Sequence, residues 1–432
     1  MSMSNTRVKQ IRERVLRDER IEDVAERLHS RLPADEPLPP RVPAGNDFSR
    51  GGLERRRDFL RKRGIKIEHI AGNRALPEPE SLRGNIENLV GFASMPIGVI
   101  GPLRINGLYA NGDFYVPLAT TEGAMVASYH RGAYLISQSG GAVAMCLSES
   151  VLRAPCFSFR SVRESALFLS WAVTQTDKFQ KIVSQTSRHC RYMDINISIN
   201  GKELYLIFEY TTGDAAGQNM VTVATEAICE YLVANAPVKP VGWLLEGNLS
   251  GDKKATMLAF SATRGKMVVA EVVVPRRLVK RILHTDPENI SHAAAVSLRG
   301  GVQSGSIGAQ GHYANALASI FIACGQDAAC VSEASVGLTT MDVTSEGDLY
   351  VSVSLPSLIV GTVGGGTHLP SARECLRMLD CEGVDKARKF AEICAVTAMA
   401  GEISIMGAMS AGDFGQAHAH YRHKQKSGGG DE

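Results

Sequence analysis

The sequence GNLSGDKKATMLAF, residues 247–260, sets three adjacent charges (Asp252, Lys253 and Lys254) in an otherwise apolar, small-residue stretch. A charge that becomes buried on folding is strongly destabilising unless another group pairs with it. Taken alone, such a run is more often a solvated turn between strands. The interpretation changes because single charged residues also stand in other apolar, glycine-rich segments, namely Glu122 in PLATTEGAMVAS, Asp327 in FIACGQDAAC and His418 in AGDFGQAHAH. A carboxyl, an ammonium, a second carboxylate and an imidazole are the groups that carbonyl reduction with proton delivery requires.

Two of these residues also have an ordinary structural explanation. Glu122 at a helix start can simply complement the helix dipole, and His418, near two further histidines, fits a solvated tail. Asp327 is harder to explain in this way, because a carboxylate in so apolar a segment needs a buried partner. Lys253 is the natural candidate for that partner.

The overall composition is that of an ordinary soluble globular protein. The 432 residues are 44% hydrophobic and 21% charged with a net charge of +2, so nothing points to nucleic acid or a charged membrane surface. Nine cysteines without metal-like spacing are typical of reduced thiols and indicate no metal site. The longest apolar runs, such as residues 316–324, are too short to cross a bilayer, and the charged N-terminus lacks a signal-peptide core. We therefore expect a cytoplasmic protein.

Shifts in composition divide the chain into parts. Near-helical spacing of apolar residues predicts an amphipathic helix within residues 1–32 and another at about 52–63, on either side of five prolines. We expect one discontinuous large domain interrupted by a smaller α+β insert. The predicted parts are a helical N-terminal domain with a proline-rich linker (1–85), the first part of the large domain (86–154), the small domain (155–243) and the second part of the large domain (244–432).

Two Asn-Gly pairs, at residues 111–112 and 200–201, predict β-hairpins. The strands that they join are expected at 103–108 and 114–118, and at 192–199 and 203–210. Helices are expected at 162–174 and 219–234, and from the TTE segment at 120–122 toward residue 137, with the threonine as its cap.

Two glycine-rich turns are candidate phosphate sites. GTVGGGT, residues 361–367, lets backbone amides approach a ligand closely, and GDAAGQN, residues 213–219, leads into a helix whose amide end can hold a phosphate. Ser187 and Arg188 offer a hydroxyl and a guanidinium for another phosphate. For GTVGGGT alone a structural turn is as plausible as a ligand loop, and Arg188 alone would usually be a surface arginine. The GxGxxG order of a Rossmann turn is absent, so a Rossmann dehydrogenase is the least favoured interpretation.

Six segments, in order along the chain, resemble hydroxymethylglutaryl-CoA (HMG-CoA) reductase, specifically the class I-like catalytic portion typified by eukaryotic enzymes. They are ENLVGFASMPIGVIGPL, PLATTEGAMVASYHRG, GDAAGQNM, GDKKATM, FIACGQDAA and GTVGGGT, and the resemblance covers roughly residues 85–418. It implies reduction of (3S)-3-hydroxy-3-methylglutaryl-CoA to mevalonate and CoA, with two NADPH, in the mevalonate pathway of isoprenoid synthesis. It also implies an α+β fold with a large domain around a long central helix, an inserted ferredoxin-like cofactor domain, a helical N-terminal domain, and assembly as a homodimer or homotetramer.

The resemblance also assigns roles by position. It implies four catalytic residues, Glu122, Lys253, Asp327 and His418. It implies substrate-binding roles for Arg153, Asp252, Lys254 and Asn315, and a CoA-binding role for the region of Ser128 and Arg131. It implies NADP contacts at Ser187, Arg188, Asp214, Gly217, Gln218, Asn219 and Met220, and no metal.

The chemistry of the implied reaction explains these residue types. Hydride attack on a thioester carbonyl builds negative charge on oxygen, which a fixed Lys253 ammonium held by Asp327 would stabilise. His418 would protonate the departing CoA thiolate, and a neutral Glu122, kept protonated by burial or by Asp327, would protonate the aldehyde oxygen. We expect NADPH rather than NADH, because Ser187 and Arg188 would face the 2′-phosphate and no acid stands there to bind a ribose hydroxyl.

One departure from the family pattern leaves alternatives open. Glu246 stands six residues before Asp252, where the family usually has a serine that contacts the substrate. An acid that points inward there would face an acidic substrate, so a same-fold reductase of a related acyl-CoA thioester is one alternative. A non-catalytic protein that binds CoA thioesters is another, against which the presence of all four catalytic residues argues.

Overall fold

A mixed β-sheet of ten strands runs through the part of the chain that the structure, a computed structural model, describes, which is residues 5–16, 19–74 and 77–412. The strands are β1 (Ile97–Gly107), β2 (Asn111–Ala119), β3 (Ala142–Arg153), β4 (Cys156–Ser158), β5 (Arg191–Asn200), β6 (Glu203–Thr211), β7 (Gly242–Leu244), β8 (Gly265–Val274), β9 (Leu338–Val343) and β10 (Leu349–Leu358). The α-helices are α1 (Asn5–Leu16), α2 (Ile21–Arg27), α3 (Arg50–Arg61), α4 (Met125–Gln138), α5 (Val162–Ala172), α6 (Thr176–Thr186), α7 (Gln218–Asn235), α8 (Arg276–Leu278), α9 (Pro287–Ser304), α10 (Tyr313–Ala323), α11 (Val331–Ala334), α12 (Pro370–Met378) and α13 (Ala387–Ser410).

Strand β3 links the two halves of the sheet. The strands lie in the order β7-β4-β6-β3-β8-β10-β9, with β1 and β2 joined beside β3 and with β5 joined to β6. Residues 143–150 of β3 pair with β8, whereas its last three residues pair with β6. The strand therefore carries the chain from one half of the sheet into the other and ends at Arg153.

Residues 156–244 follow the element order βααββαβ, with the four strands in the spatial order β7-β4-β6-β5. The predicted hairpin at Asn200-Gly201 is confirmed: Asn200 pairs with Glu203, and Gly201 has a φ of +60° in the loop between them. The predicted helices at 162–174 and 219–234 are observed as α5 and α7. Helix α6 was not predicted, because within it only Phe179 and Val183 are buried.

The longest helix, α13, lies in the core. Its buried side chains include two glutamates, Glu392 and Glu402, that are 0% exposed. Glu392 accepts hydrogen bonds from the N–H groups of Tyr109 and Ala110 at 2.9 and 2.7 Å, and Glu402 accepts from the N–H of Gly311 at 2.7 Å. Backbone donors thus satisfy both buried carboxylates and fix the helix against neighbouring loops.

Helix α13 is also long and apolar enough, by length and composition alone, to cross a membrane. The prediction that every apolar run is too short overlooked it. Because 83% of its most apolar window is buried inside the protein, its composition is explained by its place in the core.

The first hairpin differs from its prediction. Asn111 and Gly112 lie within β2, where they pair with Asn106 and Ile105, so the loop comprises residues 108–110. A tertiary contact determines the position of the loop, because the N–H groups of Tyr109 and Ala110 bind the buried carboxylate of Glu392 in α13. This contact overrides the local turn preference of Asn-Gly.

The predicted threonine cap of α4 is also wrong. Thr120 Oγ1 accepts a hydrogen bond from the N–H of Glu122 at 3.0 Å, closing a turn ahead of the helix. The helix itself begins at Met125, after Ala124 with a left-handed φ of +66°.

The N-terminal segment contains two short helices, α1 and α2, where one was predicted, and α3 begins after the capping hydroxyl of Ser49. The proline-rich segment packs against the sheet. The guanidinium of Arg104, which is fully buried, donates to the carbonyl oxygens of Arg31 and Glu36 at 2.7 Å each and pairs with Asp113 at 2.8 Å. The predicted linker is therefore anchored to the body of the protein.

Candidate active site

Lys253 and Asp327 form an ion pair between two loops. Lys253 lies between β7 and β8, Asp327 follows α10, and the Lys253 Nζ is 2.9 Å from Asp327 Oδ2. Asp327 Oδ1 also accepts a hydrogen bond from the N–H of Ala329 at 3.0 Å. The predicted partner of Asp327 is confirmed. Its predicted burial is wrong, because the two side chains are 43% and 40% exposed.

The ion pair fixes the protonation of both groups. The hydrogen bond with Asp327 raises the pKa of Lys253 above its ordinary value, although burial opposes this. Burial raises the pKa of Asp327, but the Lys253 hydrogen bond and the Ala329 N–H outweigh it and leave that pKa below its ordinary value. At neutral pH the pair is therefore an ammonium and a carboxylate.

The backbone of Lys253 is strained. Its φ of +56° lies in the left-handed region, which costs a residue with a side chain about 1–2 kcal/mol. The N–H of Lys253 donates to Glu333 Oε1 at 3.2 Å, and the N–H of Lys254 closes the turn on the carbonyl oxygen of Gly251 at 3.1 Å. Strain of this kind persists only where the surroundings hold it, and here it directs the ammonium at Asp327.

A buried charge network lies behind this turn. Asp252 is bound by two arginines, with Arg153 Nη1 3.0 Å from its Oδ2 and Arg264 Nη2 2.7 Å from its Oδ1. Arg264 also pairs with Glu333, and both are almost fully buried. Burial raises the pKa of Glu333, although Arg264 opposes this. The network ties the end of β3 to the turn that carries Lys253.

A cleft of about 940 Å³ opens beside the ion pair. Its wall includes Lys253 and Asp327, together with residues 215–220, 363–367 and much of 84–93. Gln326 joins two of these segments, because its Oε1 accepts from the N–H of Gly361 at 2.8 Å. Five of the six segments quoted from the sequence, all except PLATTEGAMVASYHRG, therefore meet in one cleft.

The N-terminus of α7 faces this cleft. Gly217, which precedes the helix, has a φ of +79° and provides no side-chain cap. A Cβ atom at this position would lie 2.3 Å from the side chain of Thr212, so only glycine fits. The amide groups of Gln218, Asn219 and Met220 thus begin a helix without a capping side chain, an arrangement that suits a phosphate group.

Asp214 has a different position from its neighbours in the same turn. Its carboxylate accepts hydrogen bonds from the N–H groups of Asp385, Lys386 and Ala387 at 2.7, 3.1 and 3.0 Å. It therefore caps the start of α13 and connects the GDAAGQN turn to the core helix.

The other candidate residues do not line the cleft. Glu122 is exposed, so the burial expected for a neutral carboxyl is not observed, and it accepts from Asn315 Nδ2 at 3.5 Å. Ser128 and Arg131 both donate to Ser404 of α13, at 2.9 and 3.0 Å. Lys254 is exposed and donates to the carbonyl oxygen of Asp252 at 2.9 Å.

The remaining candidates lie further along the chain. Ser187 follows the last residue of α6 and accepts from the N–H of His189 at 3.1 Å, and Arg188 is exposed. Neither belongs to the wall of the cleft. His418 lies outside the described residues.

Arg264 and Glu333 were missed as members of the site. Glu333 is a single charge in a segment rich in small and apolar residues, which is the same signal that identified Asp327. Arg264 stands in a similar segment, two residues before Lys266. What the sequence lacks is any sign that they pair across 69 positions.

The chain is similar to proteins of one known family. The hydroxymethylglutaryl-coenzyme A reductase family model matches residues 52–423. The 3-hydroxy-3-methylglutaryl-coenzyme A reductase of Pyrococcus horikoshii is 43% identical over 383 residues, which cover 86% of this chain and 92% of the relative. The 3-hydroxy-3-methylglutaryl-coenzyme A reductase of Methanocaldococcus jannaschii is 41% identical over 378 residues, which cover 86% of this chain and 92% of the relative. The class II reductase of Streptococcus pneumoniae, solved with NADPH, matches with a TM-score of 0.66 at 18% identity over 82% of this chain and 96% of that chain. The prediction of an α+β fold is confirmed at the level of a mixed helix and sheet fold shared with that structure.

Proposed function

Because the chain belongs to the hydroxymethylglutaryl-coenzyme A reductase family, we propose that it reduces (3S)-3-hydroxy-3-methylglutaryl-CoA to mevalonate and CoA with two NADPH. This reaction is the reductive step of the mevalonate pathway. The observation that carries the proposal is the Lys253–Asp327 ion pair of 2.9 Å in the wall of a cleft that also contains the open N-terminus of α7.

Lys253 stabilises the oxygen that becomes anionic when hydride reaches the thioester carbonyl. Its raised pKa keeps it protonated, and Asp327, as a carboxylate, orients it without donating a proton. Bound NADPH supplies the two hydrides, one molecule in each reduction. His418 protonates the thiolate of CoA after the carbon–sulfur bond breaks, and Glu122 protonates the aldehyde oxygen in the second reduction.

The first turn of α7 holds the cofactor phosphates in this proposal. Support comes from the absence of a side-chain cap and from the requirement for glycine at position 217. The volume of the cleft is of the size that a ligand of this class requires. Ser187 and Arg188 bind the 2′-phosphate of NADPH. Because neither residue lines the cleft, residues 187–188 must move toward the cleft when the cofactor binds.

We assign residues 155–243 to a ferredoxin-like cofactor domain inserted into a large domain (86–154 and 244–432) around α13, behind a helical N-terminal domain (1–85). The strand order β7-β4-β6-β5 supports this division. A homodimer or homotetramer in the cytoplasm completes the proposal. Its support is the half-exposed ion pair and the exposed apolar side chains Val296 and Val302 on α9, and light scattering of the purified protein tests it.

Steady-state oxidation of NADPH with HMG-CoA, with mevalonate identified as the product, tests the proposed reaction. We expect turnover with NADPH and much weaker turnover with NADH. Failure of the purified, folded protein to oxidise NADPH when HMG-CoA is present would contradict the proposed reaction. Equal turnover with NADH would contradict the assignment of the cofactor.

A further inference from the structure

Glu246 contacts Arg153, the last residue of β3. Its Oε2 lies 3.3 Å from Arg153 Nη1, the same nitrogen that contacts Asp252 at 3.0 Å. Its other oxygen, Oε1, accepts from the N–H of Asn248 at 2.8 Å. The side chain is 28% exposed. Its contacts with Arg153 and Asn248 therefore hold it in place, while part of its surface is accessible to a ligand.

The Arg153 guanidinium is already engaged at its two terminal nitrogens. Its Nη1 contacts two carboxylates, and its Nη2 donates to the carbonyl oxygen of Gln218 at 3.2 Å. Its Nε is buried and has no hydrogen-bond partner among the described residues. A planar guanidinium binds a carboxylate best through two parallel N–H groups. On the edge formed by Nη1 and Nη2, Glu246 and Asp252 share one nitrogen and the carbonyl oxygen of Gln218 takes the other.

Three carboxylates are grouped in this network. Two almost fully buried cations, Arg153 and Arg264, face three carboxylates, those of Glu246, Asp252 and Glu333. A further carboxylate from a substrate would have to approach the three carboxylates already grouped there, beside which the exposed Lys254 stands as a further cation. Like charges brought together in this way are a recognised means of rejecting a ligand.

From these contacts, and resting on the proposed function, we propose that Glu246 determines specificity at the acyl end of the substrate. It takes the place on Arg153 that a substrate carboxylate would use, and so weakens the preference of this protein for a thioester whose acyl group carries a distal carboxylate. Binding of thioesters whose acyl group lacks that carboxylate is therefore favoured relative to binding of thioesters that carry it. The substrate class thus widens toward uncharged branched 3-hydroxyacyl-CoA thioesters.

A matched pair of thioesters measures this preference. HMG-CoA and 3-hydroxy-3-methylbutyryl-CoA differ only in the distal carboxylate. Calorimetric titration gives the Kd of each for the wild type and for Glu246→Gln, whose amide oxygen can still accept from the N–H of Asn248. We expect the ratio of the two Kd values to shift in favour of HMG-CoA by about tenfold or more in the variant, through tighter binding of HMG-CoA alone. An unchanged ratio, or a shift toward the uncharged thioester, overturns the inference.

Three further variants sharpen the test. Glu246→Asp keeps the charge and should keep the wild-type preference, and Glu246→Ser repeats the neutral substitution should the glutamine variant not fold. Glu346→Gln removes one charge from the exposed turn between β9 and β10 and should leave both Kd values unchanged. Because binding is read without turnover, a shift in the ratio supports the inference even if NADPH oxidation with HMG-CoA fails. Turnover with an unchanged ratio refutes the inference and leaves the proposed reaction intact.

Discussion

Replacing Lys253 by alanine and by glycine should separate its chemical role from its backbone strain. Both changes remove the ammonium and the ion pair with Asp327, so both should lower kcat/KM for HMG-CoA by about 10²–10³-fold, the usual loss when one group that stabilises an oxyanion is removed. The two variants should differ in stability, because Lys253 has a φ of +56° and only glycine adopts that conformation without strain.

The size of the difference follows from the backbone conformation. A side chain in the left-handed region costs about 1–2 kcal/mol, and the greater freedom of glycine in the unfolded chain returns about 0.4–1 kcal/mol of this. Lys253→Gly should therefore be more stable than Lys253→Ala by about 1 kcal/mol. The lost ion pair is common to both variants and cancels in the comparison.

Two measurements suffice. NADPH oxidation gives kcat/KM, and urea unfolding followed by circular dichroism gives the free energy of unfolding. An alanine variant that retains turnover close to that of the wild type would refute the role of the ammonium. An alanine variant as stable as the glycine variant would refute the argument from strain, whatever its activity.

Three other changes test separate parts of the structure. Asp327→Asn removes the group that raises the pKa of Lys253, so the alkaline limb of the kcat/KM profile should move to lower pH; an unmoved limb would assign that limb to another group. Gly217→Ala places a Cβ atom 2.3 Å from the side chain of Thr212 and should raise the KM for NADPH more than the KM for HMG-CoA, and an equal rise in both would contradict a cofactor role for this turn. Glu149 is buried among three cations. Burial raises its pKa, but these cations outweigh burial and lower the pKa from 4.5 to about 2. This shift corresponds to a contribution of about 3 kcal/mol to the free energy of unfolding. That contribution is present above pH 4.5 and is lost as the pH falls toward 2. Glu149→Gln should therefore be less stable than the wild type at neutral pH, and the difference in the free energy of unfolding, measured with urea, should shrink in acid. A difference that is constant with pH would contradict this.

The sequence could predict features that depend on neighbouring residues. The hairpin at Asn200-Gly201 and helices α5 and α7 follow from turn chemistry and periodicity, and all three were found where predicted. The family was also evident from the sequence, because its motifs are long and several occur in order. The pairing of Lys253 with Asp327 could be predicted because each needed a partner and few charges stood in comparable segments.

The tertiary structure decided where local and distant interactions compete. The loop of the first hairpin lies at residues 108–110 because a buried carboxylate of α13 binds its amides, and no local pattern records that contact. Arg264 and Glu333 pair across 69 positions, and Glu246 meets Arg153 across 93. Such pairings depend on which charges the packed sheet brings together out of water, where an unpaired charge is most costly. The sequence therefore determined which chemical groups this protein has and that Lys253 and Asp327 need each other. The fold determined the pairings that no segment announces, such as those of Arg264 with Glu333 and of Glu246 with Arg153.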